Sequence, residues 1–155
     1  MTDHAEITHD RFRIERLYPR CLAHVWSAWT DPARKWTWFG GGGPMPQDYA
    51  LDFRTGGHEL ARFVSPMGQH ENRTTYLDIA EAAHIVFAYS MALDGRVHSA
   101  SVATVEFDDH GGGTRLVFTE SIACIGPSDG MAGRKHGWDA LLASLDRLLA
   151  AETPA

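Results

Sequence analysis

Residues 131–151, MAGRKHGWDALLASLDRLLAA, decide the fold. Apolar side chains recur there at intervals of three and four, which places them on one face of a helix. That face consists of Trp138, Leu141, Leu142, Leu145, Leu148 and Leu149, and Asp139, Ser144, Asp146 and Arg147 lie around the rest of the helix. The pattern predicts a helix about 30 Å long. A helix with so wide an apolar face must bury it against a second layer of structure.

The residues before this helix predict that second layer, because their hydrophobic period changes to two. Turn residues separate the strand-like segments at short intervals, as in Pro66-Met67-Gly68 and Asp94-Gly95. No gap is long enough for a helix, so the sequence favours an antiparallel meander over parallel βαβ units. The six segments are 49–53, 58–64, 73–79, 84–91, 97–107 and 114–122.

The N-terminal part adds one strand and two helices. Residues 7–17 predict a strand with Phe12 and Ile14 on one face. Pro19 opens a helix, and Asp31 with Pro32 begins a second, short one that ends before Gly40–Gly43. The buried stripe of the first helix is Leu22, Val25, Trp26 and Trp29. The predicted order is β-α-α-β6-α, in one α+β domain over residues 1–155.

Composition excludes several classes of protein. The 155 residues are 44% hydrophobic and 22% charged, which is typical of a globular domain. A formal net charge of −6 leaves no basic surplus for binding nucleic acid. The longest apolar-leaning run, 85–93, is too short to span a bilayer, and the polar N-terminus does not look like a signal peptide. We therefore expect a cytoplasmic protein with its two cysteines, Cys21 and Cys124, reduced and buried.

Short motifs along most of the chain resemble one known family in the START-like superfamily, which is also called SRPBCC or Bet v 1-like. The family is named for the C-terminal domain of the heat-shock-protein-90 ATPase activator. The matching pieces occur in the family's order over about residues 10 to 150. They are Pro19 with VWSAWTDP at 25–32, WFG at 38–40, DFRTGG at 52–57, TYLDI at 75–79, HIVF at 84–87, TVEF at 104–107 with GGTRL at 112–116, and GW at 137–138.

The resemblance implies a helix-grip fold, in which a seven-stranded antiparallel sheet curves around the C-terminal helix. An apolar cavity between sheet and helix would hold a small apolar or amphipathic ligand. Strand alternation then gives the side chains that face inward. They are Ile85, Phe87, Tyr89 and Met91, then Ser99, Ser101, Ala103, Val105 and Phe107, and finally Leu116, Phe118, Glu120 and Ile122.

Glu120 is the main candidate for chemistry, because a carboxylate on an apolar stripe is costly to bury unless it is paired. One interpretation places it in the cavity with a raised pKa, as a ligand-binding group or a base. The other has an Arg or Lys neutralise it, or solvent reach the end of the strand.

Aromatic residues supply the other candidate contacts. Trp38 and Phe39 precede the glycine run and either form the mouth of the cavity, with Gly40–Gly43 as a mobile lid, or pack the short helix on the sheet. Trp138 is interpreted as core or cavity wall. The predicted ligand-binding set is Trp38, Phe39, His58, Phe87, Tyr89, Met91, Ser101, Phe118, Glu120, Trp138 and Leu142.

Nine histidines raise the question of a metal. The sequence contains no H-x-H, no H-E-x-x-H and no paired Cys/His spacing, so we expect neither a metal nor a cofactor. His58 lies near a Gly-Gly turn, where it lines the cavity or faces solvent.

Three functions stay open. The first is a module that binds a small molecule. The second is a cyclase- or hydrolase-like enzyme that uses Glu120 with Tyr89 or a histidine, in which Glu120 would bond another titratable group. The third is a chaperone-activating protein, for which the sequence offers only the family's name. Fold resemblance does not decide among them, and a homodimer is compatible with each.

Overall fold

The computed structural model describes residues 6–40, 43–126 and 130–152. Strands and helices follow the predicted order, β-α-α and then six strands and a final helix. They are β1 (Ile7–Tyr18), α1 (Leu22–Thr30), α2 (Pro32–Phe39), β2 (Ala50–Leu51), β3 (His58–Ser65), β4 (Gly68–Ala80), β5 (His84–Leu93), β6 (Arg96–His110), β7 (Gly113–Ile125) and α3 (Gly130–Ala151).

The seven strands form one antiparallel sheet in the order β1-β7-β6-β5-β4-β3-β2. The strands from β2 to β7 are therefore a meander, as the short turns predicted. The N-terminal strand β1 lies at one edge of the sheet and pairs along its whole length with β7, from Ile7 opposite Ile125 to Tyr18 opposite Thr114. The predicted α+β helix-grip architecture is confirmed.

Helix α3 packs its apolar face on the inner face of the sheet. Leu142, Leu145 and Leu149 are fully buried there, and each such side chain contributes about 1.5–3 kcal/mol to folding. Backbone carbonyls of the helix also accept bonds from the N-terminal segment. The Tyr18 hydroxyl donates to Leu142 at 3.1 Å, and Nε of Arg20 donates to Leu149 at 3.0 Å. These contacts fix the height of α3 above the sheet.

The two short helices close one end of the layer between α3 and the sheet. The side chain of Asp31 accepts a bond from the backbone nitrogen of Ala33 at 3.1 Å, so it caps α2 as predicted. Trp29 of α1 lies edge-on against Trp38 of α2, with ring centroids 4.7 Å apart, and stacks on Trp138 of α3 at 6.5 Å. The three helices thus meet through tryptophans.

Several predictions differ from the structure or fall outside it. The first helix begins at Leu22, with Cys21 as its N-cap, rather than at Pro19. The expectation that both cysteines are buried is wrong for Cys21, which is exposed where the chain leaves β1 for α1; both thiols are free. Strand β4 begins at Gly68 rather than Arg73, because Ser65 pairs with Gly68 directly at the turn. Within Gly40–Gly43, the predicted lid, Gly41 and Gly42 lie outside the described residues. Among the helices described, none is both long and apolar enough to cross a membrane.

Candidate functional site

A pocket of about 590 Å³ lies between α3, α2 and the inner face of the sheet. Its walls are mainly apolar, and Phe63 at its edge is half exposed. The apolar lining is Trp36, Phe39, Ala61, Phe63, Met91, Cys124, Trp138 and Leu141. The polar lining is Asn72, Tyr89, His98, Ser99 and Arg134.

Strand register brings these residues together from distant parts of the chain. Met91 of β5 lies opposite Ser99 of β6, and Ser99 lies opposite Cys124 of β7. Because side chains alternate between the two faces of a sheet, residues paired in register share a face. The three residues form a row across the floor of the pocket. Above it, Gly133 and Gly137 of α3 lie one helical turn apart and line the pocket.

Arg134 of α3 reaches from the helix to the sheet and joins the polar side chains into one cluster. Its NH1 donates to the Tyr89 hydroxyl at 2.9 Å and to Oε2 of Glu120 at 3.3 Å, and its NH2 donates to Oγ of Ser99 at 2.6 Å. The arginine side chain is 16% exposed, whereas that of Glu120 is 0% exposed. The guanidinium therefore forms part of the wall, and the carboxylate lies behind it.

Glu120 is held by donors on several sides. It accepts from the Tyr89 hydroxyl at 2.6 Å and from Oγ of Ser101 at 2.7 Å, besides Arg134. Burial raises the pKa of its carboxyl group, although the bonds from Tyr89 and Ser101 and the charge of Arg134 act in the opposite direction. Both predicted interpretations thus describe part of the arrangement, because the carboxyl has a raised pKa and is also paired with an arginine.

The pKa values of Tyr89 and His98 shift in opposite directions. Burial, and next the negative charge of Glu120, raises the pKa of the Tyr89 phenol well above its usual value. Its oxygen also accepts from Nε1 of Trp138 at 3.1 Å. Burial, and next the positive charge of Arg134, lowers the pKa of His98. Among the described residues that line the pocket, Arg134 is the only Arg, Lys, Asp or Glu.

A second buried carboxylate lies near the inner end of the pocket. Glu59 accepts from Nζ of Lys35 at 3.1 Å and from the hydroxyls of Tyr49 at 2.6 Å and Tyr76 at 2.8 Å. The ammonium group also lies 4.5 Å from the ring centroid of Phe39. The lysine and glutamate side chains are only 4% and 3% exposed. This cluster is closed to solvent.

A small chamber of about 10 Å³ separates this second cluster from the pocket. It shares Phe39, Asn72, Tyr89 and Trp138 with the pocket lining. Its volume matches about one water molecule. Nε1 of Trp29, which lines the chamber, is buried without a hydrogen-bond partner in the described part of the chain.

The residues predicted for the site lie in five different places. Phe39, Tyr89, Met91 and Trp138 lie on the pocket wall. Ser101 and Glu120 lie behind the wall. Phe87 lines the small chamber. Buried in the core are Trp38, Phe118 and Leu142. His58 is exposed at the start of β3, 3.3 Å from the hydroxyl of Thr75.

Sequence reasoning missed several residues that line the pocket or lie beside it. Arg134 precedes Trp138 by four positions and so shares its helix face, a signal that would have found it. No local signal joins Lys35 to Glu59. Trp36, Asn72 and His98 were also missed, and Ser99 was placed on the inner face without being assigned to the site. In the ranges described, no group of three His, Cys, Asp or Glu side chains is arranged to hold a metal.

The sheet that grips a C-terminal helix, with two short helices at one end, defines a START-like (SRPBCC) protein. Within that superfamily, the chain belongs to the family described as Activator of Hsp90 ATPase homolog 1-like protein, which matches residues 21–150. The resemblance found in the sequence motifs is confirmed.

Solved structures agree with this assignment. A protein of Rhizobium leguminosarum is 35% identical, with a TM-score of 0.89 over 96% of this chain and 99% of that one. The Mll3558 protein of Rhizobium loti is 36% identical, with a TM-score of 0.85 over 92% and 98%. DynU16, from the dynemicin biosynthetic locus, shares the fold at 23% identity and a TM-score of 0.70, over 94% of this chain and 49% of its own. Curated protein sequences gave no significant match.

Proposed function

We propose that this protein binds a small amphipathic molecule in the pocket between α3 and the sheet. The observation that carries the proposal is the contrast within the pocket lining. Aromatic and aliphatic walls enclose about 590 Å³, and Tyr89, Ser99 and Arg134 form one polar cluster in those walls. That volume lies within the range of about 300–1,000 Å³ typical of small-molecule sites, and such sites commonly combine apolar walls with a few fixed polar groups.

The geometry of Glu120 favours binding over catalysis. A general base must come within hydrogen-bond distance of the proton that it removes. Glu120 is fully buried behind the wall, and its oxygens accept from Tyr89, Ser101 and Arg134. Its place in the cluster suits a positioning residue, which holds the arginine and tyrosine in fixed orientations.

The enzyme function has one observation in its favour. The enzyme hypothesis predicted a hydrogen bond between Glu120 and another titratable group, and the Tyr89 hydroxyl donates to Glu120 at 2.6 Å. The variant Glu120→Gln separates the two functions. A large loss of turnover with retained binding would favour the enzyme. The chaperone-activator function rests on the family's description alone, and we do not propose it.

A substitution that fills the pocket tests the proposal. A Cβ atom added at Gly137 would have no atom within 4 Å, so Gly137→Phe introduces its side chain without a clash at Cβ. We expect the neutral fluorescent probe N-phenyl-1-naphthylamine to bind the unmodified protein at one site. Gly137→Phe should weaken that binding by about tenfold or more, which corresponds to about 1.4 kcal/mol.

Ala140→Phe is the matched control, because Ala140 is exposed on the same helix. It adds an aromatic ring of the same size outside the pocket and should leave the affinity unchanged. Equal binding by both variants, or no saturable binding by the unmodified protein, would contradict the proposal. Native mass spectrometry of freshly purified protein would show whether a small molecule is retained.

A further inference from the structure

We infer that the ligand of this pocket is an amphipathic anion whose carboxylate, or an equivalent acidic group, binds to Arg134. The inference rests on the proposed function and names the chemical class of the ligand. Three observations support it: the charge on the wall, the balance of donors and acceptors in the polar cluster, and the apolar character of the other lining residues.

The charge that the described residues place on the wall is positive. Arg134 lines the pocket, whereas its partner Glu120 has no exposed surface. A ligand therefore contacts the guanidinium and not the carboxylate. Lys35 and Glu59, the other buried charges near the pocket, are paired with each other behind Phe39 and the small chamber. Guanidinium groups bind carboxylates in a planar arrangement with two parallel hydrogen bonds.

The polar cluster offers donors to a ligand. A guanidinium group has five N–H donors, and within the described part of the chain three bonds join Arg134 to Tyr89, Glu120 and Ser99. The Tyr89 oxygen already accepts from Arg134 and Trp138 and donates to Glu120, so it has no further lone pair to offer. The Ser99 hydroxyl accepts from Arg134 and still has its own hydrogen to donate. A ligand group rich in acceptors fits this cluster.

The other residues of the lining indicate the chemistry of the rest of the ligand. Trp36, Phe39, Phe63 and Trp138 present aromatic rings, and Met91 and Leu141 complete the apolar lining. Flat apolar groups pack favourably on such rings. The structure therefore fits an acid with an aromatic or similarly flat apolar body.

Two probes of the same shape test the inference, namely 2-naphthoate and 2-naphthamide. They differ in whether the polar group is a carboxylate or a neutral amide. Binding is measured by isothermal titration calorimetry at about pH 8, where ordinary carboxyl groups are ionised. We expect the unmodified protein to bind 2-naphthoate about 10- to 100-fold more tightly than 2-naphthamide, the range typical of a hydrogen bond to a charged group.

Two variants should reduce this preference to different extents. Arg134→Gln should reduce the affinity for 2-naphthoate to about that for the amide. Arg134→Lys keeps one positive charge but lacks the planar pair of donors, so it should retain a smaller preference for 2-naphthoate over 2-naphthamide. The second variant keeps the inference testable if Arg134→Gln does not fold. Arg13→Gln is the control, because it removes one positive charge from an exposed position on β1.

The outcomes separate this inference from the proposed function. Equal affinities for the two probes, or a preference for the amide, would overturn the anionic ligand while N-phenyl-1-naphthylamine still binds. An unchanged preference for 2-naphthoate in Arg134→Gln would also overturn it. If none of the three compounds binds in the pocket, the proposed function fails as well.

Discussion

The two buried carboxylates, Glu59 on β3 and Glu120 on β7, are satisfied in closely similar ways. Each lies on the inner face of the sheet and accepts bonds from two hydroxyl groups. Each also pairs with one cation that a helix supplies, Lys35 from α2 or Arg134 from α3. A buried carboxylate needs such partners, because an unpaired charge in a protein interior costs several kcal/mol.

The two clusters differ in where the cation lies. The Lys35 side chain is 4% exposed, and its ammonium group lies close to the rings of Trp29, Trp38 and Phe39. The Arg134 side chain is 16% exposed and lines the pocket. A paired carboxylate and cation therefore have a different role in each cluster. The lysine fastens α2 to the edge of the sheet, and the arginine presents a charge to the pocket.

The largest expected effect is on the closed cluster. Lys35→Met leaves Glu59 buried without its cation, and we expect the free energy of unfolding to fall by about 3–5 kcal/mol. Urea denaturation followed by tryptophan fluorescence measures the loss. The double variant Lys35→Met/Glu59→Gln should recover part of it, because it removes the unpaired charge. A loss below about 1 kcal/mol would mean that Tyr49 and Tyr76 alone satisfy the carboxylate.

Arg134→Met should cost less stability than Lys35→Met. Glu120 retains the donors Tyr89 and Ser101, and solvent reaches part of the space that the arginine leaves. We expect a loss of about 1–3 kcal/mol in the same urea measurement. If Arg134→Met proves the more destabilising of the two, the assignment of stability to one cluster and binding to the other is wrong.

The smallest effect is in the pH dependence of stability. The pKa of Glu120 is raised in the folded protein. Above the ordinary glutamate pKa, the folded state therefore binds more protons than the unfolded state. Stability decreases as the pH rises through the pKa that Glu120 has in the folded protein. Glu120→Gln should remove that decrease, as urea denaturation over a pH series would show.

Glu71 provides a comparison of opposite sign. Bonds from Arg62 and Arg73 lower its pKa, so its contribution is present above the ordinary glutamate pKa and is lost as the pH falls through the folded value. Glu71→Gln should reduce only the loss of stability that occurs as the pH falls on the acidic side of the stability profile. The same change in both variants would contradict the assignment of the two shifts.

Alternation along single strands was enough to find Glu120, because Leu116, Phe118 and Ile122 on the same face marked that face as buried. The same reasoning left Glu59 unnoticed. Its neighbours Leu60 and Ala61 are both apolar, so the alternation there does not decide which face is inner. Arg134 was missed because the residues assigned to the buried face of α3 began at Trp138, although Arg134 and Trp138 share a helix face.

The sequence by itself determined the order of strands and helices, the antiparallel meander and the buried face of α3. Those features follow from periods of two and of three to four residues and from turn residues, all of which act over short stretches of chain. Only the tertiary structure decided which charges meet. Lys35 and Glu59 are separated by 24 residues, and Glu120 and Arg134 by 14. Their pairing depends on how each helix lies above the sheet, and no local period of the sequence encodes that placement.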